Sequence, residues 1–149
     1  MGAEGRVDEV DVNAEIQQFM AGLQGAWSRQ DLAEYLSYWS ADADVVNRAG
    51  QRFRGLAQAA AQWRRLFERG LTEIFTAETE VIGVRRIAPG VVVVHQARRE
   101  PARDSLAVYV LVRQGEQGKQ EERGESGERA ESGNAGVWLA ESLTIAPVE

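Results

Sequence analysis

The chain has no cysteine, one histidine and one lysine. Without thiols there is neither a disulfide framework nor a thiolate metal site, and the lone His95 cannot furnish an all-protein zinc centre, so no metal and no cofactor is expected. Long apolar runs are also missing. The longest, Val91 to Val94, falls far short of the roughly 20 residues that cross a bilayer. The first residues, carrying Glu4, Asp8, Glu9 and Asp11, lack the basic and apolar regions of a secretory signal, and a cytoplasmic location is expected. Positive charge is in deficit. A formal charge of −6 and a pI near 5.0 leave little long-range attraction for polyanions, so neither nucleic acid nor membrane is expected as a partner. The sequence shows no glycine-rich phosphate loop, no Gly-x-Ser-x-Gly elbow and no spaced cluster of metal ligands, which leaves the common nucleotide, hydrolase and metal chemistries without support.

What is present suffices for one core. At 149 residues, with 44% hydrophobic and 27% charged content, the chain suits a single domain, expected over 11–149 behind a flexible tail at 1–10. Asp11 or Asn13 can cap a first helix, in which Ile16, Phe19, Met20, Leu23 and Trp27 recur on one face. Leu32, Tyr35, Leu36 and Trp39 predict a second, shorter helix with Asp31 in its first turn. Asp44 to Arg48 and Gln51 to Arg54 flank Ala49-Gly50 and read as a small hairpin. Leu56, Ala59, Ala60, Trp63, Leu66 and Phe67 form a third helical stripe, which Gly70 ends. The period then changes. Residues 73–87 and Val91 to Arg99, parted by Ala88-Pro89-Gly90, read as two long strands, and Leu106 to Arg113 and Val137 to Ile145 as two more. Between the last pair, about 114–135 consists of Gly, Glu, Gln, Ser and Arg, with no large apolar group to offset the entropy of ordering. It is read as a disordered hairpin insert.

The residues Ala26-Trp27, Asp31, Tyr38-Trp39, Asp42 to Asn47, Gly50, Gly55, Leu66-Phe67, Arg86 to Val91 and Gly136-Val137-Trp138 carry a resemblance, as does the order of three helices, an interposed hairpin and four long antiparallel strands. The chain resembles the nuclear transport factor 2-like superfamily, which includes ketosteroid isomerases and SnoaL-like polyketide cyclases. Within it the chain is most similar to the SgcJ/EcaC family, over about 13–145 apart from the insert. The resemblance implies a cone-shaped α+β fold, three N-terminal helices packed on a curved antiparallel sheet, with a pocket between them. It further implies a small hydrophobic, oxygenated, polyketide-like ligand and cofactor-free isomerisation or cyclisation, or else a non-catalytic dimerisation or accessory module. Departures from the isomerase pattern bear on the chemistry. Leu23, Asn47 and about Tyr109 stand where ketosteroid isomerases place an oxyanion-donating tyrosine, a catalytic aspartate and a second acid. An amide cannot remove a carbon-bound proton. Trp63 and Thr144 stand where related sequences carry histidines.

Candidate site residues follow from side-chain chemistry and strand parity. His95 is the one group whose ordinary pKa lies near neutrality, and is read either as a proton-transfer residue or as a strand residue with an ordinary hydrogen bond. Glu141 shares its expected strand face with Leu139, Leu143 and Ile145, so it is either a desolvated acid in the pocket or an acid paired with an arginine on a face turned to solvent or a partner subunit. Asn47 and Tyr109 supply hydrogen-bonding groups suited to ligand recognition. Tyr35, Trp39, Phe53, Trp63 and Phe67 offer aromatic area for a cavity wall, Trp39 and Trp63 foremost, against the plainer reading that they only fill the core. The arginines at 64, 65, 69, 85, 86, 98, 99 and 103 are read as a solvated surface, because adjacent arginines in a strand point to opposite faces. A homodimer through the outer sheet face is expected from Leu106, Val108, Val110 and Val112, whose alternation with a second, partly apolar set allows burial on both sides.

Overall fold

A computed structural model describes residues 2–70, 72–101, 103–114 and 138–148, with side chains described over 12–70, 74–101, 103–114 and 138–148. Helix α1 spans Gly2–Ser28 and buries Ile16, Phe19, Met20, Leu23 and Trp27, the face that the helical spacing marks. It begins ahead of both expected caps, Asp11 and Asn13. Ala3, Glu4, Arg6 and Glu9 are good helix formers and no proline interrupts them, so the helix extends past both expected caps. Helix α2, Leu32–Leu36, starts at Asp31, whose carboxylate accepts a bond from the Glu34 backbone N–H at 3.1 Å. Trp39, expected on this helix, instead opens strand β1, Trp39–Val46. The Ala140 N–H donates to the Tyr38 carbonyl at 2.8 Å and draws the chain into the sheet. Tyr35 and Trp39 still stack in the same core, 5.9 Å apart. The helical spacing found the buried face without giving the right element.

β1 and β2, Arg52–Arg54, form the expected hairpin, with Gly50 at a φ of +84° in the turn. Helix α3, Leu56–Arg69, ends at Gly70, whose φ of +66° lies in the left-handed region that glycine adopts without strain. A helical turn, α4 (Thr72–Phe75), then occupies the start of the segment expected as strand. Tertiary packing overrides strand propensity there. Phe75 is 1% exposed and lies 4.9 Å from both Trp27 and Phe67, while the Ile74 carbonyl accepts from Trp27 Nε1 at 2.8 Å.

Strands β3 (Glu78–Ala88), β4 (Val91–Glu100), β5 (Arg103–Arg113) and β6 (Trp138–Val148) pair antiparallel in sequence order. The hairpin does not stand apart from them. β1 pairs with β6 in parallel, giving one six-stranded mixed sheet in the order β2-β1-β6-β5-β4-β3. Alternation assigns the faces of the two central strands. Val92, Val94, Gln96 and Arg98 of β4, with Ser105, Ala107, Tyr109 and Leu111 of β5, are buried on the face that carries the core. Val91, Val93, His95 and Ala97, with Leu106, Val108, Val110 and Val112, form the opposite, half-buried face. The expected insert at about 114–135 lies outside the described residues, apart from Gln114. Among the described residues, no helix is long and apolar enough to cross a membrane.

Candidate functional site

A cavity of about 250 Å³ opens where the β1–β2 turn, α3, α4 and the adjoining ends of β4 and β5 meet. Its apolar wall comes from Trp27 of α1, Val45 of β1, Phe53 of β2, Trp63 and Leu66 of α3, and Leu143 and Ile145 of β6. A second space of about 40 Å³ shares Trp27, Trp63, Arg98, Leu143 and Ile145 with it and is otherwise bounded by Leu23, Gln24, Tyr35 and Tyr109. That is room for a water or for one oxygen of a ligand.

Two tyrosines bring hydrogen-bonding chemistry to the inner space. Tyr109 is held in register with Val94 on one side and Leu143 on the other, and Tyr35 stacks edge-on against Trp63 at 4.9 Å. Burial raises the pKa of both hydroxyls, well above the usual tyrosine value for Tyr35, where the neighbouring Tyr109 adds to the effect; the Arg98 charge opposes the rise at both. Both remain protonated at neutral pH and can donate to a carbonyl oxygen.

The other end of the cavity is charged. Arg98 is 7% exposed, and its Nη2 lies 3.5 Å from the Ile74 carbonyl and 3.8 Å from Glu100 Oε2. Glu100 Oε1 in turn accepts from Arg103 Nε at 2.6 Å. Across the strand pair, Arg48 Nε donates to Ser105 Oγ at 2.9 Å. Three guanidinium groups and one carboxylate therefore line this end.

The expected site residues divide into three groups. Tyr35, Tyr109, Phe53 and Trp63 line the two spaces. Asn47 also lines the cavity, but its side chain is occupied in building the hairpin turn: Oδ1 accepts from the Ala49 and Gln51 N–H groups and Nδ2 donates to Gln51 Oε1. Trp39 and Phe67 stand behind the walls, Trp39 at 4.9 Å from Trp63 and Phe67 at 5.4 Å from Trp27.

His95 and Glu141 are not brought to the cavity. His95 alternates with Val94 and Gln96, which places it on the opposite sheet face beside Gly83 of β3. The face assignment for Glu141 fails at a β-bulge. Val110 pairs with Ser142 and Leu111 with Ala140, leaving Glu141 as the extra residue, so Leu139 falls on the outer face while Leu143 and Ile145 face the cavity. A regular period of two cannot reveal that shift.

Sequence reasoning missed the charged end. Arg98 shares parity with Val92 and Val94, which was a usable signal for an inward side chain. Arg48, Glu100 and Ser105 gave none, since only the fold draws the β1–β2 turn to the β4–β5 ends. Among the described residues, no group of three or more His, Cys, Asp or Glu could hold a metal ion.

A family model described as a SnoaL-like domain matches residues 16–119. No curated protein matches the chain. Among solved structures, a cystatin-like-fold domain of unknown function from Nostoc punctiforme is 20% identical, covering 92% of this chain and 77% of that one at a TM-score of 0.67. A ketosteroid isomerase-like protein from Erwinia carotovora atroseptica is 12% identical over 91% of this chain and 95% of its own, with a TM-score of 0.64. ActVI-ORFA from Streptomyces coelicolor is 13% identical over 91% and 97%, with a TM-score of 0.60. At these identities the likeness is one of fold.

Proposed function

The chain belongs to the SnoaL-like domain family, and from that premise we propose that it is a pocket protein binding a small, hydrophobic, oxygenated ligand of polyketide-like character. The observation that carries this reading is the cavity itself, an aromatic and aliphatic wall adjoining two buried tyrosine hydroxyls. Apolar walls with a few placed polar groups are the usual composition of small-molecule sites. Any chemistry that follows binding is cofactor-free isomerisation or cyclisation, with Tyr35 and Tyr109 donating to a ligand carbonyl as charge builds on its oxygen. A closer assignment to the SgcJ/EcaC branch and a cytoplasmic location belong to the same proposal. Trp27 and Trp63 line the cavity, so titration with a panel of hydroxylated aromatic ketones should quench tryptophan fluorescence saturably, and Trp63→Ala should abolish the saturable phase. No saturable quenching by any member of the panel would overturn the reading.

A second reading rests on the outer sheet face, where Val91, Val93, Leu106, Val108, Val110 and Val112 form a half-buried aliphatic surface on the side of the sheet away from the core. On it the protein is a homodimer through this face, acting as an accessory module. Sedimentation velocity at micromolar concentration tests it. A strict monomer sinks it.

A further inference from the structure

We infer that the guanidinium end of the cavity is a carboxylate subsite, so that the ligand is a small apolar acid and not a neutral ketone alone. The inference rests on reading the cavity as a ligand site and adds the chemical class. Its starting point is Arg98. A guanidinium buried to this degree needs close, charge-assisted hydrogen bonds, because burying an uncompensated charge is costly. Among the described residues Arg98 has instead only a 3.5 Å contact to the Ile74 carbonyl and a 3.8 Å approach to Glu100 Oε2. Glu100 is shared, its other oxygen accepting from Arg103 Nε at 2.6 Å, so one carboxylate serves two guanidinium groups.

Arg48 adds to the imbalance. Its Nε is used by Ser105, and its terminal nitrogens have no partner among the described residues. One carboxylate against three guanidinium groups leaves two positive charges at the lining of the space. The protein as a whole is acidic, with a formal charge of −6, so the excess is local to the cavity and not part of a general basic surface. A ligand carboxylate accepting from the terminal nitrogens of Arg98 and Arg48 restores the balance, and the planar fork of arginine fits two-point recognition of that group. The volume limits the remainder of the ligand. About 250 Å³ lies below the roughly 300–1,000 Å³ of pockets that hold drug-sized molecules, which suits a one- or two-ring acid with its carboxylate against the arginines and its rings against Trp63 and Phe53.

The test uses a matched pair of probes on the full chain, 2-naphthoate and 2-naphthamide, which share shape and differ in charge. Isothermal titration calorimetry should show the acid binding about tenfold or more tightly than the amide at low salt, with the preference shrinking as salt is raised. Arg98→Gln should remove most of that preference while leaving amide affinity in place, and Arg48→Gln should reduce it in part. Should Arg98→Gln fail to fold, Arg48→Gln in the cavity and Arg99→Gln, an outward residue paired with Glu80, give the same contrast. Equal affinities for the two probes would overturn the carboxylate subsite while leaving the pocket reading intact. Binding of neither probe, with Trp63→Ala silent, would overturn both.

Discussion

The two faces of β4 and β5 are made from alternate residues of the same twenty-odd positions, yet they differ in kind. The outer face is aliphatic over most of its length, Val91, Val93, Leu106, Val108, Val110 and Val112 with His95 and Ala97 among them, and turns charged only at the exposed rung of Arg99 and Asp104. The inner face is graded. Aliphatic Val92, Val94 and Leu111 give way along the strands to Gln96 and Tyr109, and then to Arg98 and Ser105 at the cavity. Gln96 is 2% exposed and its Oε1 has no hydrogen-bond partner among the described residues. Polar groups on a buried face cost stability unless they are satisfied, a penalty that aliphatic side chains do not carry. The buried gradient therefore points to a site, and the aliphatic face to packing.

The sharpest way to break this contrast is to truncate one residue from each face. Leu111→Ala, fully buried on the inner face, should lower urea stability by about 2–5 kcal/mol, while outer Val110→Ala should cost the isolated chain about 1 kcal/mol or less. Equal losses would mean that the outer face is as deeply buried as the inner one and would favour the dimer. Next in size is Gly22→Ala on α1. An alanine there would ordinarily strengthen a helix by about 1 kcal/mol, but a Cβ at this position would collide with the Tyr38 hydroxyl, so a net loss of about 1–3 kcal/mol is expected in thermal or urea unfolding. Tyr38 is wedged edge-on against Phe19 at 5.2 Å and cannot swing aside freely.

The pH response separates inner groups from surface ones. Tyr35 and Tyr109 have folded pKa values above their unfolded value of about 10, so the stability tied to their protonated forms is complete below that pH and is lost as the pH climbs through the folded values. The melting temperature should hold to about pH 10 and fall beyond it, with tyrosinate absorbance lagging that of free tyrosine. The smallest effect belongs to Asp44, held below its ordinary 3.8 by its hydrogen bonds to Arg52 on the exposed hairpin. Its contribution is present above that value and fades as the pH falls through the folded pKa, so Asp44→Asn should flatten the acid limb only slightly.

Much of the scaffold was legible because burial leaves a period. The stripes of α1 and α3, the turn at Gly50, the cap at Gly70 and the alternation of β4 and β5 are all local consequences of which side chains face the core. The errors arose where a distant contact decided the outcome. Phe75 is helical because Trp27 and Phe67 enclose it, and Trp39 is a strand residue because β6 lies beside it. The site was less legible for the same reason. Tyr35, Tyr109, Phe53 and Trp63 could be named from composition and position, but the meeting of Arg48 with Ser105, 57 residues away in sequence, exists only in the folded chain.

The bulge at Glu141 carries a consequence for how this domain tolerates change in length. Because it supplies the odd residue that brings Leu143 and Ile145 back into phase with Trp138 and Ala140, excising it would leave a regular strand with the same side chains lining the cavity. Removing one residue further on, at Thr144, would turn Ile145 outward and re-line the same space. Along β6, then, Glu141 marks a joint at which the chain can lose a residue without altering what the cavity offers a ligand.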